Sequence, residues 1–210
     1  MNFITFIEDA DAAAIASWLE HKIIQRLGGR DGPMRIAIPG GSTPFPIFEQ
    51  MAKGDLDFSR LEFTMTDDRV VPPDHPASNV GRIQPILGGA GAKVIALEER
   101  LDVPAFDLVW LGMGADGHFA SLFPNTDPQT DDPLHVRRLT PDPLPPEAPF
   151  DRITLTIPAL LNTKEMIFVI RGAEKRSVFD AAMAGEHDLP IARLLGAIAR
   201  RGDISVTCFT

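Results

Sequence analysis

The apolar positions of this chain change period several times, and each change marks an element. Between residues 10 and 27, Ile15, Leu19, Ile23 and Leu27 recur every four residues, Trp18 and Ile24 widen the stripe, and Gly28-Gly29 ends it. That spacing predicts one amphipathic helix. Short apolar runs follow, set apart by glycine or proline: Met34–Ile38, Leu61–Thr66, Lys93–Leu97, Asp107–Gly112, Arg152–Ile157, Met166–Arg171 and Ile204–Phe209. Several are nearly continuous in Ile, Val and Leu, which suits parallel strands buried on both faces. Helical patterns at Pro44–Lys53, Asn79–Leu87, Ala173–Ala184 and Pro190–Arg200 lie between most of them. The alternation predicts an α/β fold: a single domain over residues 1–210, with a mostly parallel twisted sheet and helices on both faces.

One segment breaks this rhythm. Eight prolines fall between Pro124 and Pro149, so neither a long helix nor a central strand can form there. A surface excursion or a loop bordering a site is expected.

Composition narrows the function classes. The chain has 29 acidic and 20 basic residues, a net charge of −9, which disfavours a nucleic-acid partner. No uncharged apolar run reaches the roughly 18 residues that span a bilayer, and residues 1–9 have no basic segment of a secretory signal. A cytoplasmic protein without membrane association is expected. The lone Cys208 can form neither an internal disulfide nor a cysteine-rich metal site, and one glycine-flanked histidine among scattered acids gives no metal-ligand spacing.

In an open α/β sheet, ligands bind beyond the carboxyl ends of the strands, so the loops after strands carry the candidate chemistry. The first is Pro39-Gly40-Gly41-Ser42-Thr43-Pro44. Its glycines let a ligand approach the backbone, Ser42 or Thr43 can cap the next helix, and free amides with hydroxyls suit a phosphate. No Gly-Lys-Ser/Thr follows, so it is no nucleotide P-loop. The second is Thr66-Asp67-Asp68-Arg69, followed by Ser78-Asn79; acids and an arginine directly after an apolar strand are costly to desolvate without a task. The third runs from Gly112 through Gly114-Ala115-Asp116-Gly117-His118 to Pro124. Its G-x-G-x-x-G spacing leads into the proline-rich segment rather than a βαβ unit, so a dinucleotide site is not expected. His118 follows three glycines on what reads as a strand-to-helix turn, where an imidazole can face a ligand.

Together the three loops resemble the 6-phosphogluconolactonase family, within the glucosamine/galactosamine-6-phosphate isomerase-like superfamily. The family's marks are a Gly-Gly-Ser loop, an Asp-Glu-Arg segment and a Gly-x-Asp-Gly-His stretch ending in Ala-Ser-Leu-Phe-Pro. Here they stand as Gly40-Gly41-Ser42-Thr43, Asp67-Asp68-Arg69 and Gly114–His118 running to Pro124, in the same order. Asp68 replaces the usual glutamate and Phe119 a frequent threonine.

The resemblance implies hydrolysis of 6-phospho-D-glucono-1,5-lactone to 6-phosphogluconate in the pentose phosphate pathway, without a cofactor or metal, by a monomer or homodimer. His118 would be the general base, and Asp67 or Asp116 its carboxylate partner, with Asp67 preferred. Gly41, Ser42, Thr43, Arg69, Asn79, Gly117, Arg152 and Lys175 would bind substrate, Arg152 and Lys175 lending charge to the phosphate. A glucosamine-6-phosphate isomerase or deaminase is the nearest alternative, but its Met-Asp-Glu-Tyr segment is missing from a chain with no tyrosine. A non-catalytic sugar-phosphate sensor is the other.

Overall fold

The computed structural model describes residues 4–144, 146 and 148–210. Parts of the amino-terminal stretch and of the proline-rich segment therefore lie outside the described residues. The chain forms strands β1 (Ile4–Ile7), β2 (Met34–Ile38), β3 (Leu61–Met65), β4 (Asp67–Arg69), β5 (Lys93–Ile95), β6 (Leu108–Leu111), β7 (Val136–Leu139), β8 (Arg152–Leu155), β9 (Glu165–Val169) and β10 (Ser205–Phe209). Its helices are α1 (Ala12–Leu27), α2 (Phe45–Met51), α3 (Asn79–Ile83), α4 (Ile157–Leu161), α5 (Ala173–Ala184) and α6 (Pro190–Arg201).

Seven strands make one parallel sheet in the order β1-β10-β9-β6-β2-β3-β5, as the continuous apolar runs predicted. Every residue of β6 and β9 is buried, so helices and loops cover both faces at the centre. The chain moves from β2 outward through β3 to β5 and later returns through β6 to β9 and β10. That reversal places a topological switch point between β2 and β6, where a crevice opens at the strands' carboxyl ends.

Helix α1 begins at Ala12, two residues after the expected start, and ends at Leu27 as expected. The Ala14 N–H donates to the Asp11 side chain at 2.8 Å, which caps the helix. Ile15, Leu19, Ile23 and Leu27 face the core, and Trp18 packs edge-on against Phe209 with ring centroids 5.3 Å apart. Ile24 instead points to solvent, so the apolar stripe is narrower than expected.

Four expectations change. The segment from Arg152 leaves the main sheet: β8 pairs antiparallel with β4 and β7 in a second, three-stranded sheet. Strand β7 lies inside the proline-rich segment but at that sheet's edge, where nearby prolines cost no ladder bonds. The helix expected over Asn79–Leu87 keeps its α form only to Ile83 and widens into a π-turn over Gln84–Gly88. Pro85 explains this, since it lacks an N–H and its ring opposes the carbonyl four residues back. Finally, neither Ser42 nor Thr43 caps α2; Pro44 holds the cap position and makes no side-chain bond.

At the end of β9 remote from the crevice, Glu165 is buried between Lys22 at 3.0 Å and Arg26, both on α1. The two cations remain about one-third exposed and can rehydrate, which limits what the cluster is worth. Glu165→Ala should lower unfolding free energy by about 1–2 kcal/mol, as read from urea midpoints, with kcat unchanged. No described helix is long and apolar enough to cross a membrane.

Candidate active site

A cavity of about 260 Å³ opens at the switch point, on the small-molecule scale. The loop after β2 forms one wall through Gly40, Gly41, Ser42 and Thr43, and the loop after β6 forms the facing wall through Gly112, Met113, Gly114 and His118. Asp67, Arg69 and Asn79 close it from the β3 side, and Arg171 and Lys175 from the end of β9.

His118 is held on three sides. Asp116 Oδ1 lies 2.5 Å from Nδ1 and accepts the His118 backbone N–H at 3.2 Å. The Phe123 ring leans on the imidazole with centroids 4.7 Å apart. Gly114 presses against its edge: a Cβ there would stand 2.3 Å from Cε1 and Nδ1. With Nδ1 facing a carboxylate, that nitrogen carries the proton and the Nε2 lone pair remains for chemistry. The His118 contact holds the Asp116 carboxyl below its usual range, more than partial burial raises it. Gly114→Ala should therefore displace the ring and cost kcat at least about 10²-fold with the fold intact by circular dichroism.

The preferred pairing of His118 with Asp67 is corrected here, because Asp116 makes the contact. Asp67 lines the cavity, is buried, and accepts the Ser121 hydroxyl at 2.6 Å. Burial raises its carboxyl above the usual range; the Ser121 bond and the charges of Arg69 and His118 oppose that rise.

Asp68, the substituted acid, does not line the cavity. Its carboxylate accepts the backbone N–H groups of Arg69, Asn79 and Val80 at 2.6–2.9 Å, fixing the turn into α3. Asn79 then donates Nδ2 to the Asp67 carbonyl at 3.2 Å and accepts from Arg69 Nη1 at 3.3 Å. The shorter aspartate thus serves as scaffolding for the residues beside it.

In the loop after β2, the amides of Gly41, Ser42 and Thr43 donate to no acceptor among the described residues. Lys175 likewise forms no ion pair among them. Arg171, absent from the expected set, lines the cavity and donates to the Ala10 carbonyl. Its signal was available in the sequence: it is a cation at the carboxyl end of an apolar strand, just before Gly172 and Lys175.

Two expected substrate contacts fall elsewhere. Arg152 is buried behind the site, where its guanidinium donates to the carbonyls of Ala148, at 2.8 Å, and Phe150. Burial, with Arg69 alongside as its cross-strand partner, lowers its pKa from the usual guanidinium range. An arginine at a strand start can turn its fork either to a ligand or to its own backbone, and here it does the latter. Gly117 supports His118 from outside the cavity. Its φ of +77° favours glycine, Leu189 and Ile191 pack where a Cβ would project, and its carbonyl accepts the Ile191 N–H at 3.1 Å. The expected strand-to-helix turn is also absent, for turns continue from Gly114 to Leu122 without an α-helix.

The chain is similar in sequence and fold to known proteins. The sequence is 32% identical over 214 residues to the 6-phosphogluconolactonase of Pseudomonas putida, covering 90% of this chain and 88% of that one. It is 31% identical to that of Neisseria meningitidis, covering 90% and 92%. The fold superposes on the crystal structure of 6-phosphogluconolactonase from Thermotoga maritima with a TM-score of 0.79 at 25% identity, covering 98% of this chain and 97% of that one. Residues 8–98 and 89–202 match the family described as glucosamine-6-phosphate isomerases/6-phosphogluconolactonase. The chain belongs to that family.

Proposed function

We propose that this protein hydrolyses 6-phospho-D-glucono-1,5-lactone to 6-phosphogluconate. The observation that carries the reading is the juxtaposition in one cavity of an Asp116-oriented imidazole with a cationic end formed by Arg171 and Lys175. A base beside the reacting carbon and positive charge for a distant phosphate are what this substrate requires.

His118 Nε2 takes a proton from water as the oxygen attacks C1, and returns it to the ring oxygen as the C1–O bond breaks. Asp116 fixes the tautomer and stabilises the imidazolium, as the carboxylate does in a hydrolytic triad. The Asp67 carboxylate, which also lines the cavity, adds its field. Arg69 is the donor for the C1 oxyanion: Nη1 is tethered to the Ala77 carbonyl at 3.0 Å and to Asn79, while Nη2 and Nε make no hydrogen bond among the described residues.

The phosphate is held by Lys175, Arg171 and the free amides of Gly41, Ser42 and Thr43, and its binding energy positions the lactone. The net charge of −9 is no obstacle, because a phosphate responds to groups within a Debye length of about 8 Å.

The family also contains isomerases, so the reading is tested by offering both chemistries. Purified protein should convert the phosphorylated lactone to 6-phosphogluconate above the spontaneous rate and release no ammonia from glucosamine 6-phosphate. Ammonia release without lactone turnover would reverse the assignment.

A further inference from the structure

We propose that Ser121 is a positioning residue for the reaction, its hydroxyl fixing the Asp67 carboxylate toward His118 in the cavity. The proposal rests on the lactonase reading above and extends it to a residue behind the cavity wall.

Ser121 lies just beyond His118 and Phe119 and is 1% exposed. Its side chain reaches across to β4, a sequence separation of 54 residues, and donates to Asp67 Oδ2 at 2.6 Å. The length suits a charge-assisted bond to an ionised carboxylate. Among the described residues, the other oxygen, Oδ1, receives only a long contact of 3.4 Å from Thr66 Oγ1.

The backbone is built to place this hydroxyl. Ala120 adopts φ of +48°, costly for a residue with a Cβ. The turn is closed by the Leu122 N–H donating to the Phe119 carbonyl at 3.0 Å. The Ser121 N–H donates to Thr154 Oγ1 on β8 at 3.2 Å, and Thr154 Oγ1 donates to the Leu155 carbonyl at 3.1 Å. The serine is thus anchored to the second sheet, and through Asp67 to the site. A buried serine needing only a partner could bond a neighbouring carbonyl, without a strained turn aimed at a carboxylate.

The charged groups around Asp67 are Arg69 and Asp68 on β4, His118 on the facing loop, and Arg152 on β8. The cations and the serine favour the ionised form, whereas burial and Asp68 oppose it. Loss of the hydroxyl lets burial win over a wider pH range. Protonation then removes the negative field that steadies the imidazolium, so activity fails first on the acid side.

The test is the pH–rate profile for the phosphorylated lactone, with folding checked by circular dichroism. Ser121→Ala should lower kcat about tenfold or more at pH 6 and less at pH 8, moving the acid limb toward neutral pH, with KM nearly unchanged. Ser121→Cys, close in size but a feeble donor, should move the limb in the same direction and serves if the alanine variant does not fold. In an Asp67→Asn background, Ser121→Ala and Ser121→Cys should each have little further effect on kcat. A wild-type acid limb in the folded serine variants, or full additivity with Asp67→Asn, overturns the proposal. An inactive wild-type protein would instead count against the lactonase reading itself.

Discussion

Replacement of His118 by alanine should lower kcat for the phosphorylated lactone by at least about 10²-fold, the usual worth of a positioned base, while KM changes little. Its Nδ1 is engaged by Asp116 at 2.5 Å, leaving Nε2 as the one nitrogen offered to the cavity. Asp67, the other titratable acid in the wall, already accepts the Ser121 hydroxyl and is buried. It is poorly placed to take over proton transfer. The alanine variant should retain the field of Arg69 and the phosphate contacts, so residual turnover above the uncatalysed rate is expected. Asp116→Asn should fall between the two, because an amide can hold the ring but cannot stabilise its cation. Steady-state kinetics on folded variants check both results, and a kcat for His118→Ala within about threefold of wild type would remove the base from the mechanism.

The second large effect concerns the phosphate. Glucono-1,5-lactone without it should show kcat/KM lower by about 10²–10⁴-fold, since two charge-assisted interactions each contribute roughly 1.5–3 kcal/mol. Lys175 and Arg171 line the cavity from the end of β9. Binding energy from a remote group is expressed as orientation at the reacting carbon, so kcat should fall along with KM rising. Lys175→Ala and Arg171→Ala should erode the preference mainly by slowing the phosphorylated substrate. Comparison of the two lactones with wild type and these variants measures the effect directly. Equal kcat/KM for both lactones would leave the cationic end without a role.

The sequence carried the main sheet in its continuous apolar runs, because strands buried on both faces have no polar side to disguise them. The central strands β6 and β9 are of this kind. It did not reveal the second sheet. Strand β4 is the charged triplet Asp67–Arg69, and β7 reads Val-Arg-Arg-Leu within a proline-rich context. Neither has a periodic pattern long enough to declare itself; each pairs with β8, which lies between them. Strand β1 is similarly short and sits at a sheet edge.

At the site, the sequence offered Asp67 and Asp116 as partners for His118 and preferred Asp67, whereas the contact is made by Asp116. Asp116 reaches His118 from two residues away, and Gly114 must lack a side chain because the ring occupies its place. What required the fold were contacts between distant segments. Arg152 turns inward to the carbonyls of Ala148 and Phe150, whereas Arg171, 19 positions further on, faces the cavity. Both are arginines at strand ends, and only the sheets they belong to separate them: β8 packs behind the site, while the end of β9 opens onto it. The bond from Ser121 to Asp67 is likewise set by tertiary geometry, across 54 residues.

Proton release from the phosphorylated lactone gives the most direct test, because each ester bond opened at neutral pH yields one acid equivalent. In a pH-stat near pH 7, the wild-type protein should accelerate base uptake well above the spontaneous background, in proportion to enzyme concentration. Total uptake should match the 6-phosphogluconate formed, and His118→Ala should return the rate most of the way to background. A wild-type rate indistinguishable from background, with the protein folded, would contradict the account.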